Sequence, residues 1–147
     1  MKKFRKFLTM VVLLALPTVL VSCSDDDDGG DSANNSSIVG TWTYSETLDY
    51  GDYQEKYTQY LNFDSDGSFT CVTIDEGYGP YVEYGIWKLI GNELTVEMDD
   101  YDVYRTKLIY RIEKISSTSM TLSIKGEGQL LYVTMTRCSY SEMEKYL

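Results

Sequence analysis

"YRTKLIYRIEKI", Tyr104 to Ile115, is the stretch that decides the fold. Tyr104, Thr106, Leu108, Tyr110 and Ile112 fall on one side of an extended chain, and Arg105, Lys107 and Arg111 on the other. Side chains of a strand alternate with period two, so this segment is a strand with one covered face and one wet face. The same beat runs through "ELTVEM", where Leu94, Val96 and Met98 oppose Glu93, Thr95 and Glu97. Working outward, "VGTWTYSE", "KYTQYLNF", "SFTCVTID", "VEYGIWKLI", "SMTLSIK" and "LLYVTMTR" are further runs of β-branched and aromatic residues set off by turn residues. A helix is signalled only in the tail, where "SYSEMEKYL" carries Ser139 and Glu142 at capping-box spacing. Eight strands on short links predict an all-β domain: an antiparallel up-and-down barrel with a short C-terminal helix.

The links divide into two kinds. "DSDG" (Asp64–Gly67), "GN" (Gly91–Asn92) and "SSTS" (Ser116–Ser119) are tight. The alternating links "LDYGDYQE", "EGYGPY", "DDYD" and "GEGQ" are mostly longer and richer in Gly, Asp and Tyr. Alternate links of an up-and-down barrel lie at opposite ends, which predicts a closed floor and an open mouth framed by the loop tyrosines Tyr50, Tyr78, Tyr81 and Tyr101, with Tyr53 among them. The candidate ligand-binding residues are Tyr44, Tyr53, Tyr57, Trp87, Tyr104 and Tyr110. Strand aromatics also fill small barrels, so core packing stands beside ligand lining for these side chains. Loop aromatics flanked by glycine are commoner at recognition surfaces.

"GTW" at Gly40-Thr41-Trp42, opening the first strand, resembles the G-x-W signature of lipocalins and the wider calycins. The resemblance implies that Trp42 closes the barrel floor, with Arg137 at the end of the last strand packed across it. It implies a lipocalin-like barrel holding a small ligand. The family's T-D-Y motif is absent, "ISSTSM" standing in its place.

Upstream, "MKKFRKF" is a basic n-region and "LTMVVLLALPTVLV" an apolar run broken by Pro17. That is the pattern of a secretory signal, and the run is shorter than the roughly 20 residues a spanning helix needs. Leu20-Val21-Ser22-Cys23 resembles the lipobox of bacterial lipoproteins, which implies lipid attachment at Cys23 after cleavage of residues 1–22. The acidic run "SDDDDGG" behind it resembles the export signal of surface lipoproteins in one group of Gram-negative anaerobes, which implies an outer-membrane anchor with the chain at the cell surface. Two acyl chains anchor stably where one anchors marginally. Residues 23–37 read as the lipidated cysteine and an acidic tether with too little apolar content to fold, reaching roughly 20 Å as a coil. Residues 38–147 are then one lipocalin-like domain.

Composition narrows the function. Formal charge is −10, and loss of Lys2, Lys3, Arg5 and Lys6 with the leader takes it to −14. No basic stripe offsets this, which argues against nucleic acid as a partner. The chain has no histidine, the commonest general base and metal ligand. Cys71 and Cys138 do not make a disulfide framework, and buried free thiols are common. "DSDGS" has two aspartates of a calcium loop without its closing glutamate, so a hairpin turn is the better reading. Asp99, Asp100 and Asp102 in "MDDYD" are read as a solvated loop. No enzyme, cofactor or metal is expected. The expected role is binding of a small apolar or amphipathic ligand through the mouth, with the membrane as partner through Cys23. The alternative is a packed barrel whose acidic, Tyr-rich loops bind a protein.

Overall fold

The computed structural model describes residues 35–49, 51–99, 106–126 and 128–147. Cys23 and the tether up to residue 34, and Tyr50, Tyr101 and Tyr104, lie outside the described residues. The chain forms a closed antiparallel barrel in which each strand pairs with its sequence neighbours and β1 closes on β8. The strands are β1 (Gly40–Asp49), β2 (Gln54–Phe63), β3 (Ser68–Asp75), β4 (Gly79–Ile90), β5 (Glu93–Met98), β6 (Thr106–Ile115), β7 (Ser119–Gly126) and β8 (Gln129–Cys138). All eight coincide with the predicted runs to within a few residues.

Two short helices flank the barrel. The C-terminal one, α2 (Tyr140–Glu144), starts at Ser139, whose backbone N–H donates to Glu142 Oε1 at 3.3 Å and whose hydroxyl donates to the same oxygen at 3.1 Å. It buries Met143, and just beyond it Tyr146 stacks on Tyr60 of β2 at 5.9 Å. The other, α1 (Asn35–Ile38), was not foreseen and begins inside the segment read as tether. Ile38 is fully buried, which explains why the chain orders here.

The core occupies the floor half of the barrel. Trp42, Leu61, Phe63, Phe69, Trp87, Leu94, Ile112, Met120, Leu122 and Met135 pack as one buried cluster with Ile38. Period-two alternation supplies one such residue per strand turn inward. The Asp64–Gly67 link is a tight turn, as predicted: Gly67 N–H donates to Asp64 O at 3.0 Å, Ser68 N–H donates to Asp66 Oδ1 at 2.8 Å, and Gly67 adopts φ +91°. Cys71 and Cys138 are free thiols, Cys71 buried in the interior and Cys138 at the end of β8.

Candidate functional site: a half-buried cup above a sealed floor

The floor is closed by hydrogen bonds as well as by packing. Trp42 Nε1 donates to Ile38 O at 2.8 Å. The Arg137 guanidinium donates to Val39 O at 2.8 Å and to Ser37 O at 2.7 Å, and its Cζ sits 4.1 Å from the centroid of the Trp42 ring. One cation thus satisfies two carbonyls at a helix end and rests on an aromatic face. Gly40 is required here for two reasons: its φ is +125°, and a Cβ would lie 2.5 Å from Arg137 Nη1.

Trp87 belongs to this floor and not to a ligand wall. Its ring is buried and meets Phe63 edge-on at 5.7 Å, and its Nε1 donates to Asp64 O in the floor turn at 2.9 Å. Placing it among ligand-binding residues was wrong in position: β4 runs from mouth to floor, and Trp87 lies near its floor end, beside Gly67 O, to which its N–H donates.

Above the floor, the inward positions change character. Tyr44, Tyr57, Gln59, Tyr81, Glu83 and Tyr110 are half-buried, with Thr73 fully buried among them. Tyr44 donates to Glu46 Oε2 at 2.5 Å, two residues along the same face of β1. Gln59 Nε2 donates to Thr73 Oγ1 at 3.2 Å across the β2–β3 ladder. Burial pushes the Tyr57 hydroxyl well above its ordinary pKa, with Tyr81, Cys71 and Glu83 adding to the rise and Thr73 offsetting part of it. Burial raises Tyr81 and Tyr110 in the same way, and Glu83 and Cys71 act on both. These mutual effects place Tyr57, Tyr81, Glu83, Cys71 and Tyr110 in one neighbourhood inside the barrel.

The opposite wall is apolar. Met98 and Val133 pack against the core, and Leu108, Ile124 and Leu131 continue the inward faces of β6, β7 and β8 as half-buried side chains. The inner face above the floor therefore has two unlike sides: a polar one from β1 to β4, bearing phenols, an amide and carboxylates, and one from β5 to β8 that is apolar but for Tyr110 on β6.

Two predicted tyrosines fall elsewhere than expected. Tyr81 is not a mouth loop residue; it lies within β4 and faces the interior, because β4 starts at Gly79 and the preceding link is correspondingly short. Tyr53 stands just ahead of β2 and is 60% exposed, so it belongs to the rim and not to the inner wall. Tyr78, as expected, is on the rim, at 80% exposure. Sequence reasoning passed over Glu46, Gln59, Thr73 and Glu83. The available signal was their spacing, since each stands an even number of residues from an inward aromatic or cysteine on its own strand.

No family model matches the sequence, and no curated protein matches it. Among solved structures, a lipocalin-like protein from Bacteroides uniformis is similar, at 22% identity and a TM-score of 0.46, over 69% of this chain and 97% of that one.

Proposed function

We propose that this protein is a binder of small amphipathic molecules, held in the mouth half of its barrel. The observation that carries this reading is the change along the inner face, from a packed apolar floor to a half-buried cup with a Tyr-rich polar wall facing an apolar one. A barrel built only for stability gains by filling its interior with apolar side chains to native density. Carboxylates and phenols on the inner wall instead provide orienting contacts for a ligand's polar edge. The lack of histidine and the nature of the cup favour binding over catalysis.

The lipobox-like Leu20–Cys23 and the acidic run behind it support a lipid-anchored protein at the cell surface, in the outer membrane. The chain enters the barrel at the floor through α1, so a tether ending there directs the mouth away from the anchor. A second reading, protein binding through the rim, is favoured by the exposure of Tyr53 and Tyr78 beside acidic residues.

Native mass spectrometry of the protein purified gently from its own host tests the first reading. A discrete extra mass that leaves on denaturation is the expected result and identifies the molecule. A bare mass, with Glu46→Gln and Tyr57→Phe leaving the protein unchanged in every binding screen, sinks it in favour of the rim.

A further inference from the structure

The barrel wall is not continuous in its mouth half. β6 pairs with β5 along Thr106–Arg111. On its other side it meets β7 only from Arg111↔Ser123 floorward to Ile115↔Met120. β7 stays paired with β8 out to Gly126↔Gln129. Among the described residues, Thr106–Tyr110 and Ile124–Gly126 thus pair with their other neighbours and not with each other, the β6–β7 ladder ending at Arg111↔Ser123. The cause lies just floorward of that end, where the register shifts between Ile112 and Lys114. A bulge bends its strand and increases the local twist. Ser123 Oγ donates to Glu113 Oε1 at 2.5 Å and pins the point from which the strands diverge.

A groove of about 850 Å³ lies over this end of the ladder. Ile109, Leu130 and Tyr132 line it from outside together with the charged Arg111, Glu113 and Lys125, the β4–β5 floor turn at 90–93 bounds its lower end, and it reaches Tyr110, a residue of the inner wall. Ile109, Leu130 and Tyr132 are 49%, 51% and 62% exposed. Exposed apolar side chains gathered at one place on a barrel's outer wall call for a reason. The β1–β8 seam also parts, its ladder covering only Thr41↔Cys138 to Thr43↔Thr136. There, however, only the β8 lip, with the same Leu130 and Tyr132, is apolar, and the outward residues of β1 are Ser45, Thr47 and Asp49.

We propose that the ligand of the cup enters and leaves sideways, between β6 and β7, apolar end first over Ile109, Leu130 and Tyr132. This rests on the cup reading above, and it adds a route that the Tyr-rich rim does not provide. A ligand passing there meets apolar groups outside, then Tyr110 at the gap, then the apolar wall of Leu108, Ile124 and Leu131 within.

A gate and a site are separable kinetically, because obstructing an entrance slows arrival and departure alike and leaves the equilibrium in place. In the full-length chain with Cys23→Ser and Cys138→Ser, which keeps the buried Cys71, one added cysteine at Ile109, Lys125, Thr47 or Tyr53 would carry a bulky maleimide adduct. Stopped-flow uptake and release of the neutral dye Nile red are then followed, with circular dichroism confirming the fold of each adduct. Adducts on Ile109→Cys and Lys125→Cys are expected to slow both rates about tenfold while Kd stays within about twofold. Unchanged rates at both positions, or slowing at Thr47→Cys or Tyr53→Cys instead, overturn the side entrance and leave the cup standing. A faster release with a weaker Kd overturns it too, since the groove would then be the site itself. If the unlabelled protein takes up no dye, the cup reading fails and the entrance fails with it.

Discussion

Arg137 shows how much one side chain can hold. It closes the floor from the last strand by bonding two carbonyls that precede the first and by resting on Trp42. Arg137→Met removes both donors and leaves Ser37 O and Val39 O without this partner. We expect a loss of about 2–4 kcal/mol in urea unfolding; a loss below about 0.5 kcal/mol would mean that water takes over both carbonyls. Cys71 makes a pH prediction. Burial, with the nearby Glu83 charge, pushes its thiol up to about 12, whereas an unfolded thiol titrates near ~8.5. The folded state therefore holds a proton that the unfolded state releases, and stability present below the lower value is lost as pH rises toward the higher one. The buried tyrosines, also raised, extend the decline above pH ~10. The urea midpoint should fall steadily from about pH 9, and Cys71→Ala should delay the onset. A midpoint flat from pH 8 to pH 10.5 would contradict this account of the thiol.

Elements were legible where alternation runs unbroken. The β5 and β6 patterns predicted both strands and their covered faces, and Leu94↔Tyr110 and Val96↔Leu108 are paired neighbours on the inner wall. Where two strands approach or part was not legible, because alternation reports faces and not neighbours. Gly85 is an example of approach. It sits inward in β4, opposite Met98, and a Cβ there would lie 2.1 Å from Glu97 O of β5. A glycine inside a strand marks such a close backbone contact. Gly85→Ala must push β5 away, at an expected cost of about 2–4 kcal/mol read from the thermal midpoint; an unshifted midpoint would show that the β4–β5 ladder yields freely. The bulge near Glu113 is the example of parting, and nothing in "YRIEKI" announces it. The helix α1 was missed for a related reason: four residues carry too little periodicity to separate a helical turn from a tether.

At the scale of the whole molecule, the charge matters more than any single contact. A chain at −10, or −14 if residues 1–22 are cleaved as proposed, steers basic partners to itself and repels anionic surfaces. If the rim binds a protein through Tyr53, Tyr78 and their acidic neighbours, association should slow steeply between about 50 and 500 mM salt. Uptake of a neutral ligand by the cup should change little over the same range, so one salt series separates the two functions. The proposed anchor has its own test. Cys23→Ala should abolish incorporation of a radioactive fatty acid, and persistent labelling would refute lipid attachment at that residue.

Strand number and the two ends of the barrel were determined by the sequence alone, because each rests on local chemistry, side-chain alternation and turn residues; the Trp42–Arg137 closure was expected only through the resemblance of Gly40-Thr41-Trp42 to the lipocalin signature. The tertiary structure decided which aromatics are walls and which are foundations. Trp87 and Tyr81 lie on the same face of the same strand, yet one is sealed under the floor turn and the other looks into the cup. Height along a barrel depends on strand tilt and stagger summed over all neighbours. That sum is a property of the closed sheet and is carried by no single segment.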